Sequence, residues 1–381
     1  MPLWLFALFL AAFAIGSSEF VIAGILPEVA ADLTISIPTA GLLVSLYALG
    51  VAVGGPLLAT FTGHFPRKRL LLIYVVIFTI GYVACALAAN FGLLLLARVV
   101  ISLIHGAYFG TAMVLAASLI DEKRRGFAVA LILSGLTVAN VLGVPIGTAI
   151  GQAFGWRVTF WAVALLGIAS LVAIAFLVPR DGAHRSDGGN LLEEVKALGR
   201  EPVYSSLAII ILQTVGQFAL FTYIAPVLTD VSGISSDLVP WLLLIFGIGS
   251  TVGVLAGGRL SDWKLMPSLI GILAFQVLVY ALMALFVSSA WAMTVLVLLW
   301  GMTSFAFGAP VQHRILNATR DAPLLSASLI PSAFNIAIAA GAWFGGALIN
   351  GGFSYAILPW VGAIGTIAAV LVAVWSARRA S

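Results

Sequence analysis

Two side chains stand out by type and by place. Glu19 lies in "FAIGSSEFVIAGILPE" (Phe13 to Glu28) and Arg98 in "ARVVISLIHGAYFG", each well inside an apolar run. A charge at the centre of a bilayer costs about 2.5–3.5 kcal/mol on insertion scales, so such residues are functional candidates by default. At about 1.5 Å of rise per residue, Glu19 sits roughly 13 Å below Glu28 and Arg98 roughly 12 Å below Asn90. The two are therefore expected at comparable depth, where they can pair directly or through water. One chemistry this permits is proton carriage, because a carboxyl caught between desolvation and a nearby cation can gain and lose a proton as that balance changes. The other is a permanent ion pair that fixes the first helix against the fourth. Ser102 and His105 follow Arg98 at i+4 and i+7 and so share its helix face. His105 reads as a hydrogen-bonded packing residue or as a second proton site.

The chain that must hold these groups is 62% hydrophobic and 8% charged over 381 residues. Its mean hydropathy is +1.17. Soluble domains carry roughly 25% charged residues, whereas runs of about 20 apolar residues are what a bilayer core requires. Breaks at charges, Pro/Gly clusters and polar turns predict twelve membrane spans. They lie near Leu3–Ile25, Thr39–Phe61, Leu70–Ala89, Leu93–Leu119, Phe127–Ala149, Thr159–Val178, Val203–Leu228, Val239–Leu260, Ser268–Phe286, Ala292–Phe307, Leu325–Ile349 and Ala356–Ser376. The opening "MPLWLFALFL" has no basic leader and is read as part of the first span, retained. Residues 179–202 hold the longest polar stretch, read as a cytoplasmic linker with a short amphipathic helix over Leu191 to Leu198. Residues 1–178 and 203–381 then form an N-terminal and a C-terminal six-helix bundle.

Of the eighteen Lys and Arg, only Arg98 and Arg157 fall outside the loops after even-numbered spans, the linker and the C-terminus. The positive-inside rule places both termini in the cytoplasm. The net charge of +4 is thus a matter of topology, and no nucleic-acid partner is implied. A shift of 199 residues lays Pro27 on Pro226, Gly50 on Gly249 and Gly54 on Gly253, and "ATFTG" on "GRLSD". Six helices followed by six related helices in the same orientation imply two pseudo-symmetric bundles, an arrangement common in transporters. Under that shift Glu19 falls on Phe218 and Arg98 on Val297, so the charges were not duplicated.

Several motifs resemble the major facilitator superfamily over essentially the whole chain. "GGPLLATFTGHFPRKRL" is similar to its loop signature G-x-L-x-D-R-x-G-R-K/R, with Ala59, Gly63 and Pro66 replacing Gly, Asp and Gly. The second copy keeps Gly258, Leu260 and Asp262, and the resemblance implies a conformational latch at Asp262. "SGLTVANVLGVPIGTAIG" resembles the antiporter motif of helix five through Gly135, Gly143, Pro145 and Gly147. "SSEFVIAGILPEVA", "VSLYALGVAVG", "GWRVTFW" and "SAFNIAIAAGA" resemble the twelve-helix drug:proton antiporters, near sugar-efflux, arabinose-inducible and chloramphenicol-resistance exporters. The resemblance implies an all-α integral membrane fold and a multi-pass protein of a bacterial cytoplasmic (inner) membrane, working as a monomer. It implies proton-coupled efflux of small neutral or amphiphilic molecules by alternating access, and the chemistry and depth of the two charges then make Glu19 the expected proton carrier with Arg98 as its partner. A proton symporter or passive facilitator for a small sugar or nucleoside is the alternative.

In this superfamily helices one, four, seven and ten line a central cavity, with helices two, five, eight and eleven flanking it. That assigns substrate contacts to Tyr47, His105, Asn140, Gln213, Gln217, Phe221, Trp300 and Asn335. Asn140 and Asn335 have a second reading as interhelical glue, and most aromatic rings a second reading as packing. An enzyme is not expected: the sequence has no His/Cys/Asp/Glu cluster with metal-ligand spacing, no Walker-type phosphate loop and no nucleophile elbow. No cofactor or metal is implied, and the one cysteine, Cys85, allows no internal disulfide.

Overall fold

A computed structural model of the chain describes residues 2–62, 64–180, 199–319 and 323–380. Among them twelve helices are long and apolar enough to cross a membrane. They are α1 (Leu3–Gly24), α2 (Ile37–Thr62), α3 (Arg67–Ala86), α4 (Phe91–Leu119), α5 (Arg125–Phe154) and α6 (Trp156–Leu177), then α7 (Glu201–Phe221), α8 (Ser236–Trp263), α9 (Leu265–Leu285), α10 (Ala290–Ala318), α11 (Leu329–Asn350) and α12 (Tyr355–Arg379). The expected linker helix over Leu191 to Leu198 lies outside the described residues, as does Gly63. The chain forms two compact units, Met1–Ser36 with Leu42–Asp187, and Ile37–Gly41 with Gly188–Ser381. In the first, α1 packs on α5 and α6 while α3 packs on α4 and α6. In the second, α7 packs on α11 and α12, α8 on α10, and α9 on α12.

Two predicted spans need correction. The seventh was expected to run to Leu228, but it ends at Phe221 and is followed by a short helix, Ile224–Pro226, and a π turn, Val227–Val231. Pro226 has no N–H and its ring crowds the preceding turn, so the helix breaks at Tyr223 (φ −112°, ψ 23°). Pro27 does the same in the first unit, where α1 stops and a short helix Leu26–Asp32 begins after Ile25 (φ −113°, ψ 13°). The tenth span was expected to stop at Phe307, yet helix resumes at Gly308 and continues to Ala318. Arg314, read as a loop charge, is buried there because it has partners: Nη2 donates to Glu201 Oε2 at 2.9 Å and also to Ser376 Oγ. A buried cation tolerates a low-dielectric site only when so paired.

The internal repeat extends to atomic contacts. A Cβ on Gly54 would lie 2.3 Å from the Leu103 carbonyl oxygen, and one on Gly253 would lie 2.0 Å from that of Met302. Leu103 and Met302 are related by the same 199-residue shift. Both helix pairs, α2 with α4 and α8 with α10, therefore touch backbone to backbone at equivalent places. Within a bilayer, where lipid is as apolar as Leu, such close van der Waals approach is a main source of helix association.

At the α5–α6 junction the chain turns on a single residue, Gly155, whose φ of +91° is open mainly to glycine. The turn delivers Trp156 and Arg157 to the end of the short helix after α1. Arg157 ion-pairs with Asp32, donates to the Ala88 carbonyl at 3.1 Å and lies over the Trp156 ring. The Trp156 indole N–H donates to the same Asp32 carboxylate at 3.1 Å. This clamp joins the ends of α1, α3 and α6, and accounts for an arginine that departs from the loop-charge pattern.

Two outcomes follow from these contacts. Gly253→Ala should destabilise the protein by about 1–3 kcal/mol, the usual cost of overpacking. Gly258→Ala, where a Cβ meets nothing within 4 Å, should be neutral or slightly stabilising; thermal melting in detergent compares them. The hydrogen bond from Arg157 holds the Asp32 carboxyl below its ordinary range. Its stabilising contribution is present above the unfolded aspartate value and disappears as pH falls through the lowered folded value. Melting temperature should therefore drop across that acidic window in the natural protein, and Asp32→Asn should start lower and lose less there.

Candidate functional site

The first unit gathers four of the predicted site residues into one buried cluster. Glu19 is carried by α1, Tyr47 by α2, and Arg98 and His105 by α4. Glu19 Oε2 lies 3.7 Å from His105 Nε2. On the other side of the imidazole, His105 Nδ1 and the Tyr47 hydroxyl share a hydrogen bond of 3.0 Å. The Arg98 guanidinium carbon stands 4.5 Å from the centre of the Tyr47 ring. Arg98 is 0% exposed and Glu19 8%. Carboxyl, imidazole, phenol and guanidinium thus form a continuous series out of bulk water.

Of the two expected forms of Glu19–Arg98 pairing, direct or through water, the direct ion pair is not among the arginine's contacts within the described residues. Its Nη1 donates to the Ser18 carbonyl (3.2 Å) and the Tyr82 hydroxyl (3.4 Å), and its Nε donates to the Leu43 carbonyl (3.3 Å). Nη2 has no hydrogen-bond partner among the described residues. The reason is geometric: Arg98 reaches the backbone beside Glu19, while the carboxylate turns one position away and meets His105. Neither Tyr82 nor the two carbonyls was singled out from sequence. Backbone acceptors carry no residue signature, and Tyr82 is one aromatic among many.

Residues of the antiporter-like segment govern how closely α5 meets α1. A Cβ on Gly143 would fall 1.9 Å from Ser17 Oγ, and one on Gly147 would fall 2.5 Å from a Val21 methyl. Both contacts flank Glu19 along α1. Between Val138 and Val144 the helix widens into a π turn, Ala139–Gly143. Pro145 explains it, since it cannot donate to the carbonyl four residues back and its ring must be accommodated. Asn140 sits buried in this turn.

The second unit differs in kind. Gln213 and Gln217 are bonded to each other at 2.9 Å, and Thr214 donates to Gln213 Oε1. Phe221 packs against Phe246 and Trp300, with ring centroids 5.1 and 6.1 Å away. Trp300 is fully buried and its indole N–H donates to the Tyr280 hydroxyl at 3.0 Å. In this structure it packs rather than lines an open surface. Asn335 is half-buried and its amide donates back to the Pro331 carbonyl at 3.0 Å. Asp262 is exposed in the last turn of α8 and forms no ion pair among the described residues; its neighbour Ser261 is the one that reaches α10, at His313. Gly258 lies nearby with open space around it.

The 199-residue shift aligns the two environments position for position. Glu19, Tyr47, Arg98 and His105 correspond to Phe218, Phe246, Val297 and Ser304. One duplicated scaffold therefore holds a titratable cluster in the first unit and an uncharged aromatic one in the second. The Glu201–Arg314 pair, whose arginine is buried, was also missed from sequence. A usable signal existed: Phe307, Val311 and Ile315 recur every four residues and continue the apolar face of α10 past its expected end. Among the described residues no group of three or more His, Cys, Asp or Glu could hold a metal ion.

Comparison with known proteins accords with this architecture. A family model described as Major Facilitator Superfamily matches residues 8–327. The chain is 37% identical to "Inner membrane transport protein YdhP" of Escherichia coli (strain K12) over 375 residues, 98% of this chain and 96% of that protein. It is 35% identical to "Chloramphenicol resistance protein" of Streptomyces lividans, over 90% of this chain and 88% of that one. A crystal structure of a bacterial homologue of the human lysosomal transporter Spinster shares the fold, with a TM-score of 0.78 at 18% identity, covering 98% of this chain and 94% of that chain. With twelve membrane helices in two related six-helix units, the chain belongs to the major facilitator superfamily: it is a multi-pass inner-membrane transporter of a small molecule, not an enzyme.

Proposed function

We propose that this transporter is a proton-coupled efflux antiporter and that Glu19 carries the proton. The observation that supports this most is a buried carboxylate 3.7 Å from an imidazole, beside an arginine whose hydrogen bonds go to the Ser18 and Leu43 carbonyls and the Tyr82 hydroxyl rather than to the acid. A carboxylate already locked to Arg98 would have little reason to exchange protons. Glu19 instead keeps a neighbour, His105, whose Nε2 faces the carboxylate while its Nδ1 is held by the Tyr47 hydroxyl. With both termini in the cytoplasm, Glu19 accepts a proton from the outer side and releases it inward as the transporter alternates. Tyr47 and His105 orient the carboxyl, and Arg98 sets the local field.

The cargo we propose is a small neutral or amphiphilic organic molecule. The aromatic, amide-bearing environment of the second unit, with Gln213, Gln217 and Phe221, suits such a molecule better than a polycation. The similarity to a protein named for chloramphenicol resistance supports a drug of that kind, and a small sugar is the second candidate. Within the second unit Asn335 completes the polar contacts and Trp300 supports the aromatic wall, Asn140 is a candidate contact of the first unit by itself, and the functional unit is a monomer. Gly143, Pro145 and Gly147 set the close α1–α5 contact, while Gly258 and Asp262 act at the end of α8. The alternative, a proton symporter or passive facilitator of a sugar or nucleoside, predicts a different response to an imposed pH gradient.

In inverted vesicles with an acidic lumen, the natural protein should accumulate cargo against its gradient. Glu19→Gln should reduce that uptake at least tenfold, to near background, while the purified variant keeps its melting behaviour. Fully coupled transport by Glu19→Gln would remove the proton assignment. Uptake that ignores the pH gradient indicates a facilitator, and movement in the reverse direction a symporter. Thermal-shift screening with chloramphenicol, sugars and nucleosides identifies the cargo to use.

A further inference from the structure

Outside the charged cluster and its aromatic counterpart, one surface of the second unit combines a cation with exposed aromatic rings at the end of a membrane span. The Arg379 guanidinium carbon lies 4.5 Å from the centre of the Trp375 ring. Trp375 in turn faces Tyr204, with ring centroids 6.4 Å apart. Trp375 and Tyr204 are 40% and 42% exposed, so both rings present part of their surface outward. Arg379 is exposed and forms no ion pair among the described residues. Stacking occupies the face of a guanidinium and leaves the N–H donors at its edge directed outward, the geometry that takes a phosphate oxygen pair.

The rest of α12 indicates what that phosphate belongs to. Counting back from Arg379 by fours gives Trp375, Leu371 and Ile367, one stripe along the helix. Leu371 and Ile367 are 64% and 45% exposed. A cation at the end of the span, an aromatic step below it and an apolar stripe beyond match headgroup, interface and acyl chain in order. The opposite face of the same turn is internal. Ser376 is fully buried and accepts a hydrogen bond from Arg314, which holds Glu201 in the first turn of α7. Tyr204 lies one turn further along α7.

We propose that Arg379, Trp375 and Tyr204 form a headgroup site for one anionic phospholipid, whose acyl chain runs along Leu371 and Ile367. Bound lipid braces the junction of α7 and α12 from outside, on the turns that Glu201, Arg314 and Ser376 tie together from inside. The surface needs no proton coupling and holds for any transport direction.

The test uses the full-length protein with phosphatidylglycerol, phosphatidylcholine or soluble glycerol phosphate added, read by native mass spectrometry and thermal melting. Phosphatidylglycerol should be retained and should raise the melting temperature above that in phosphatidylcholine, and glycerol phosphate should have no effect. Arg379→Gln should weaken retention about fivefold, the size of one basic contact with an anionic membrane surface. Trp375→Ala should weaken it comparably. Arg379→Lys, which keeps the charge but not the planar fork, should fall between and serves if Trp375→Ala misfolds. Lys264→Gln removes another tryptophan-stacked cation, 5.2 Å from the Trp263 ring, and should change nothing. Equal retention by the natural protein and Arg379→Gln overturns the site. An equal loss in Lys264→Gln overturns it in favour of diffuse charge attraction, and an equal shift with glycerol phosphate in favour of a soluble-anion site.

Discussion

Burying the guanidinium of Arg98 without a carboxylate partner is possible only if several helices bring acceptors to it. A charged group inside a bilayer-embedded bundle must be hydrogen-bonded or it destabilises the fold by several kcal/mol. Here the acceptors come from the Ser18 carbonyl of α1, the Leu43 carbonyl of α2 and the Tyr82 hydroxyl of α3. Arg98 itself belongs to α4, so one side chain links four helices of the first unit. Because its hydrogen bonds go to these groups, the adjacent Glu19 is left to interact with His105. The separation of the cation from the acid is therefore a consequence of where the carbonyls and the Tyr82 hydroxyl lie.

That arrangement also depends on how near the helices can come. Glycines 50 and 54 on α2 let it approach α4, and Gly143 and Gly147 let α5 approach α1 on either side of Glu19. In water such contacts would add modestly to a hydrophobic driving force. In lipid they are a principal attraction, since apolar side chains gain little by leaving the acyl chains. The second unit uses the same device at Gly249 and Gly253 but places aromatic rings where the first unit has charges. Duplication conserved the packing problem and its solution, and the two copies diverged in the side chains the packing holds.

Much of the fold was legible in the sequence because bilayer thickness and loop charge are local, additive signals. All twelve spans were found, and their ends missed mainly where a proline broke a helix early, as at Pro226, or where a buried pair carried one onward, as at Arg314. The candidate site was only partly legible. Glu19 and Arg98 announce themselves as charges in apolar helices, and His105 follows from its spacing. The sequence assigns Trp300, Gln213 and Gln217 to substrate contact, but only the structure shows that Trp300 bonds to Tyr280 and that the two glutamines bond to each other.

The sequence by itself determined the membrane class, the number of spans, the duplication at 199 residues and which half holds the buried charges. Each is a property of residue type along one dimension, governed by transfer free energy and helical period. Only the tertiary structure decided that Arg98 binds carbonyls, that Glu19 meets His105, and that Arg314 is internal. Those outcomes turn on distances of a few ångström between segments 55 to 113 residues apart. No periodicity along the chain encodes which backbone carbonyl will lie beside a buried guanidinium once four helices have packed.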